Sequence, residues 1–162
     1  MPRTLVLIRH AKTGDAERDI IRPLTPRGHA DATAIGQALA GSGFAPDRVV
    51  VSPARRAQET WVDAARELPP RECTVVEDDR IYDNDEDRLL EIVRETPDDV
   101  ATLVLVGHNP SFGGLALVLG SADARREGFP TAACAAFEIT GSWGDAGPDT
   151  ARACWYAVPR AG

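Results

Sequence analysis

The chain is short of cysteine, of histidine and of positive charge, and each shortage closes off a class of protein. Its three cysteines, Cys73, Cys134 and Cys154, are odd in number, far apart and without a C-x-x-C pair. A disulfide framework or structural zinc site needs paired or closely spaced cysteines, so neither is expected, and a reducing, cytoplasmic setting is. Lysine and arginine number 18 against 25 aspartates and glutamates, a formal net charge of -7. Binding to nucleic acid needs a basic footprint, so no nucleic-acid partner is expected. No apolar run approaches the ~18 residues that cross a bilayer, so no membrane partner is expected either. Met1-Pro2-Arg3-Thr4 leads straight into the first apolar run, so no secretory leader is expected. The three histidines, His10, His29 and His108, lack the local spacing of H-E-x-x-H. No G-x-S-x-G elbow marks a nucleophilic serine. Neither a metal nor another cofactor is therefore expected.

What remains is an ordinary globular composition. With 43% hydrophobic residues in 162, the chain can bury one core, and no linker or repeat divides it, so residues 1–162 read as a single domain. Continuous apolar runs at 4–8, 48–51 and 102–106 read as buried strands. A short strand is expected at 74–76, and a last antiparallel pair at 134–139 and 153–158. Helical spacing covers 25–40, 54–68, 86–95 and 111–119. The first of these opens on Thr25-Pro26, a hydroxyl cap followed by proline at the first helical position. Residues 11–24 read as a polar loop, and 140–150, rich in glycine and aspartate, as a turn. Helices alternating with apolar strands predict an α/β three-layer sandwich around a largely parallel sheet.

Open parallel sheets bind ligands at the carboxyl ends of their strands. Three strands here end in polar sequence: Arg9-His10, Ser52-Pro53-Ala54-Arg55-Arg56 and Gly107-His108-Asn109. Arginine is a permanent cation whose fork fits phosphate oxygens. Histidine is a nucleophile or acid/base near neutral pH. If the three strands are parallel neighbours, two histidines and two arginines share one crevice suited to an anion. A divalent cation would be repelled there. His29 lies inside a helix and reads as a surface residue. The acidic clusters at 77–79 and 83–87 read as solvated loop and helix start.

Four motifs, in order, carry a family resemblance over residues 4–119. Leu7-Ile8-Arg9-His10-Ala11-Lys12 resembles the RHG/RHA signature of the histidine phosphatase superfamily, the phosphoglycerate mutase-like group. Arg22-Pro23-Leu24-Thr25-Pro26-Arg27-Gly28 resembles the segment RPLTxxG of its SixA-type phosphohistidine phosphatases. Ser52-Pro53-Ala54-Arg55-Arg56-Ala57-Gln58-Glu59-Thr60 resembles SPxxRAxxT, and Val106-Gly107-His108-Asn109-Pro110 resembles vGHNP. The resemblance implies the fold of that superfamily and an enzyme that removes a phosphoryl group without a metal. It implies that His10 is the nucleophile, transiently phosphorylated. Arg9, Arg56 and His108 are then its phosphate-pocket partners, and Arg22, approaching from the loop, and Asn109 are expected to bind the phosphate as well. Arg55 precedes the motif position and inherits no role.

The resemblance leaves the proton donor open. Many superfamily members use a carboxylic acid to protonate an alkoxide leaving group. Here only Asp83, Asp85 and Glu86 are candidates by position, and none lies in a transferable motif. The SixA-like group generally lacks this acid. Phosphohistidine in a protein fits that absence, because its leaving imidazole can already be protonated. The alternatives are a small-molecule phosphomonoesterase of the same superfamily and a non-catalytic phosphate-binding module. The partner is accordingly a phosphorylated protein or a small phosphorylated metabolite.

Overall fold

A computed structural model describes residues 2–161. Six strands, β1 (Arg3–Arg9), β2 (Arg48–Val51), β3 (Thr74–Glu77), β4 (Thr102–Gly107), β5 (Cys134–Ile139) and β6 (Ala151–Ala157), form one sheet in the order β3-β2-β4-β1-β5-β6. The first four are mutually parallel, while β5 and β6 run antiparallel at one edge. The parallel strands read as unbroken apolar runs because both of their faces are covered. Their side chains alternate between the two faces. Leu5, Leu7, Val50, Leu103 and Leu105 enter one core, and Val6, Ile8, Val49, Val51, Val104 and Val106 the other.

Six helices fill the outer layers: α1 (Pro26–Gly41), α2 (Arg55–Ala65), α3 (Asp79–Tyr82), α4 (Glu86–Arg94), α5 (Ser111–Val118) and α6 (Ala122–Glu127). α1 and α2 cover one face through Ile35, Leu39, Ala57 and Trp61. The other helices cover the opposite face, with Leu89, Ile92, Phe112 and Leu115 at its centre. α1 starts as its sequence predicts: the Thr25 side chain accepts from the Gly28 backbone N–H at 3.0 Å, with Pro26 following. α1 and α2 approach so closely that a Cβ on Gly36 would sit 2.2 Å from the Ala64 carbonyl oxygen.

Several elements depart from the sequence reading. α2 ends at Ala65 rather than Leu68, and β6 begins two residues early, at Ala151. α6 forms between the 111–119 helix and the 134–139 strand, where the sequence reading places no element, with Ser121 accepting from Ala124 N–H and Gly128 left-handed at its end. The four-residue α3 was also not anticipated. The glycine-rich 140–150 segment makes two 3-10 turns, Trp143–Asp145 and Pro148–Thr150, instead of an open turn. Trp143 is fully buried there and its indole N–H donates to the Val100 carbonyl at 2.9 Å. A buried indole needs such an acceptor, which explains a tryptophan in an otherwise polar segment.

The sheet order positions the chemistry. β2, β4 and β1 are adjacent and parallel, so their polar carboxyl ends emerge side by side. Val51 and Ile8 both pair with Val106 across β4. Ladder hydrogen bonds continue one residue past the strands, from His10 N–H to the Gly107 carbonyl at 2.9 Å and from Ser52 N–H to the Val106 carbonyl at 3.1 Å. His10, Ser52 and His108 therefore leave the sheet from the same edge.

Candidate active site

The rings of His10 and His108 lie 5.3 Å apart, tilted by 52°. Both are buried, as is Arg56 from the first turn of α2. His10 Nδ1 is 2.7 Å from the Ala11 carbonyl oxygen, its hydrogen-bond partner. A carbonyl only accepts, so Nδ1 carries the proton and Nε2 keeps a free lone pair. Ala11 is itself held, because its N–H donates to Thr60 Oγ1 at 3.1 Å, whose hydroxyl donates to the Arg56 carbonyl at 2.7 Å. One buried threonine thus ties the nucleophile's carbonyl anchor to the helix that carries Arg56.

His10 is pushed down from its ordinary value near 6.5 to about 4. Burial is the main cause; Arg56, Arg9 and Arg22 add to it, and the Ala11 carbonyl opposes it. Desolvation outweighs the flanking cations. His108 falls to about 3, through burial, then His10, Arg56 and Arg9, with Asp19 acting against them. Both rings are neutral at physiological pH. His108 Nε2 lies 2.7 Å from Ser52 Oγ, while its buried Nδ1 has no partner among the described residues. Arg9 Nε is likewise buried without a partner, while one of its terminal nitrogens donates to the Phe129 carbonyl at 3.2 Å. Two donor-capable atoms without partners, at the carboxyl ends of neighbouring strands, are what an anion would satisfy.

The residue that sequence reasoning missed is Asp19. It lies in the 11–24 loop, in a 3-10 turn, Asp19–Ile21. The loop is closed at its neck by a bridge between Thr13 and Leu24. Asp19 Oδ2 accepts from Arg56 Nη2 at 3.0 Å and from the Tyr82 hydroxyl at 2.7 Å, and Oδ1 accepts from Arg22 Nη1 at 3.2 Å. Its backbone carbonyl takes a second bond from Arg56 at 2.8 Å. These donors, Tyr82 foremost, lower the Asp19 carboxyl to about 2. The Tyr82 hydroxyl is pushed up by the same bond, and its ring meets His108 edge-on at 5.7 Å. No local signal could have placed Asp19, since its partners Arg56 and Tyr82 lie 37 and 63 residues away in the chain.

Other candidates from the sequence sort as follows. Arg22 also binds the Gly14 carbonyl and Thr13 Oγ1, and its charge is felt by His10. The Asn109 side chain is spent on scaffolding: its amide donates to the Gly128 and Phe129 carbonyls and its oxygen accepts from Gly113 N–H. Arg55 pairs with Glu59 along the outside of α2. His29 is half exposed and bonds Asp63 at 2.6 Å. Asp83 and Glu86 line a separate acidic cleft of about 470 Å³, and Asp85, beside them, caps α4 through Asp87 N–H. None of the three hydrogen-bonds to His10, Arg9, Arg56 or His108 among the described residues. An apolar cleft of about 460 Å³ lined by Phe44, Trp61, Leu68 and Val75 lies elsewhere and contains no member of this cluster.

Comparison with known proteins agrees with this arrangement. Residues 5–109 match the histidine phosphatase superfamily (branch 1). An uncharacterised protein of Mycobacterium tuberculosis is 34% identical over 163 residues, covering 94% of this chain and all of the relative. Among solved structures, a Nakamurella multipartitia protein provisionally assigned as phosphohistidine phosphatase SixA has a TM-score of 0.87 and 32% identity, covering 98% of this chain and 97% of its own. An Agrobacterium tumefaciens protein with the same provisional assignment has a TM-score of 0.81 and 26% identity, covering 98% of this chain and all of its own. With well over half of the chain matched and the strand-end motifs brought together, this chain belongs to the histidine phosphatase superfamily.

Proposed function

We propose that the chain is a phosphatase that removes the phosphoryl group of phosphohistidine in a protein, through a transient phospho-His10. What carries the reading is that the pocket pairs a neutral nucleophile with no group ready to release a proton, among the described residues. Asp19 is held ionised well below physiological pH. His10 and His108 are neutral, and Tyr82 holds its proton more tightly than an ordinary tyrosine. An alkoxide leaving group would need an acid here. A protonated imidazole needs none. The provisional SixA assignment of the Nakamurella and Agrobacterium relatives supports the same substrate class.

The chemistry then runs in two steps. His10 Nε2 attacks phosphorus as the bond from phosphorus to the substrate imidazole nitrogen breaks. The leaving imidazole keeps that electron pair and the proton it already carries. Water next attacks the phospho-His10 phosphorus; the bond to Nε2 breaks, and inorganic phosphate leaves with free His10. Phosphoryl transfer is mostly positioning and stabilisation of charge on three oxygens. Arg9 and Arg56 supply cations, and His108 faces the same space. Arg22 reaches it from the loop and acts at longer range. These side chains suffice without a metal.

The test is a turnover panel with a phosphohistidine protein, phosphoramidate and sugar phosphates, with ³²P trapped on the enzyme by an acid-free quench. Label on His10, lost in His10→Ala, with little sugar-phosphate turnover, is the expected result. Efficient sugar-phosphate hydrolysis with no action on phosphohistidine would overturn it in favour of the phosphomonoesterase. In that case, single Asp83→Asn, Asp85→Asn and Glu86→Gln variants identify the acid.

A further inference from the structure

Ser52 closes β2 and is fully buried. Its Oγ accepts the Ala54 backbone N–H at 3.2 Å and lies 2.7 Å from His108 Nε2. A hydroxyl has one hydrogen to give, and His108 Nε2 is its only acceptor within reach among the described residues. Two proton arrangements are possible. If Nε2–H donates to Ser52, the serine hydrogen is stranded in a sealed position, and His108 turns a lone pair at Nδ1 toward the pocket. If Ser52 donates to Nε2, the serine is satisfied and the imidazole proton sits on Nδ1. The first arrangement strands two polar groups and the second only one, the Nδ1–H, and stranding a buried group costs its full desolvation.

We propose that Ser52 is a positioning residue that locks neutral His108 in the Nδ1–H tautomer, making its buried, unpartnered Nδ1 a hydrogen-bond donor to a phosphoryl oxygen. The donor role rests on the phosphatase reading above; the tautomer itself does not. The lock matters because the surroundings deny His108 a charge. His10 and Arg9 face it from β1, Arg56 from α2, Tyr82 from α3 and Asp19 from the loop turn. Of these only Asp19 favours an imidazolium. A charged ring would donate from both nitrogens regardless of Ser52. A neutral ring donates from one, so the serine decides whether the phosphate meets a hydrogen or a lone pair.

Side-chain ¹⁵N NMR of the ligand-free protein reads the tautomer directly. The expected wild-type spectrum has His108 protonated at Nδ1 and bare at Nε2, and Ser52→Ala shifts the proton toward Nε2. Finding the wild-type proton on Nε2 would overturn the proposal even if Ser52→Ala failed to fold. Inorganic phosphate serves as the binding probe. At pH 7.5 Ser52→Ala should bind it about ten- to a hundredfold more weakly, the loss of one hydrogen bond to an anion. The gap should narrow as the pH falls from 5 toward 3, where the His108 ring takes a second proton and both nitrogens donate. A deficit equal at every pH would mean that the serine acts only on structure. Wild-type protein that binds no phosphate would overturn the donor role along with the phosphatase reading, and the NMR result would still decide the tautomer.

Discussion

The acid limb of His10 reactivity separates this pocket from an ordinary histidine site. Attack requires the neutral ring. In the unfolded chain that ring titrates near 6.5, and in the fold it titrates at about 4. At pH 5.5 about a tenth of an unperturbed ring is neutral, against nearly all of His10, a difference of roughly tenfold. Diethyl pyrocarbonate acylates only the unprotonated imidazole and so reads this fraction without the ionisation of any substrate. Mass spectrometry of the His10 peptide after brief exposures should give a rate that is flat from pH 7.5 to about 5. The rate then falls with a midpoint near 4, while a urea-unfolded control follows 6.5. A folded-state midpoint near 6.5 would refute the reasoning, because the ring would then be solvated. Stability moves the same way. The folded values of His10 and His108 lie below the unfolded one, so between 6.5 and about 4 for His10, and down to about 3 for His108, the unfolded chain binds more protons. Acid therefore destabilises the ligand-free fold across that window, by about 3 kcal/mol from His10 once the pH is below 4. Asp19 contributes outside it: its depressed value gives stability present above 3.8 and lost as the pH falls through about 2.

Two substitutions test the supports of the pocket. Asp19→Asn removes a carboxylate bound to both Arg56 and Arg22. Inhibition by inorganic phosphate should tighten several-fold as the local positive charge goes uncompensated, and weaker inhibition would show that Asp19 chiefly orients Arg56. Thr60→Val strands the Ala11 N–H and removes the hydroxyl's donation to the Arg56 carbonyl. It should cost about 1–3 kcal/mol in chemical denaturation and lower kcat more than it changes KM, with both effects largely restored by Thr60→Ser. Full activity in Thr60→Val would mean that the Ala11 carbonyl needs no such anchor.

How far the sequence reads through to the site depends on how local each signal is. The strands are legible because residues 5–8 and 103–106 are apolar at every position, as a doubly covered sheet requires, and their order brings Arg9, His10 and His108 to one edge. Arg56 is legible through its place in the 52–60 motif, whose resemblance implies a phosphate partner. In the ligand-free protein the anion that Arg56 meets is Asp19. Asp19 itself sits in a polar loop with no periodicity, and its bonds to Arg56 and Tyr82 exist only after α2 and α3 have packed. α6 had its signals in view, Ser121 ahead and Gly128 behind, but six residues give too little periodicity to outweigh a loop. Trp143 was hidden by glycine and aspartate on either side, and its role depends on a carbonyl 43 residues away. The same distinction runs through the pocket. The groups proposed to touch phosphate come from strand ends and motif positions. The groups that set their charge and tautomer, Asp19, Thr60 and Ser52, act through partners that only the fold brings within reach. Ser52 and Thr60 are quoted in the same nine-residue motif as Arg56, yet the motif carries no statement of what their hydroxyls bond. Ser52 meets His108 across 56 residues and Thr60 meets Ala11 across 49, so their function is a property of the β1–β4–β2 edge rather than of the motif.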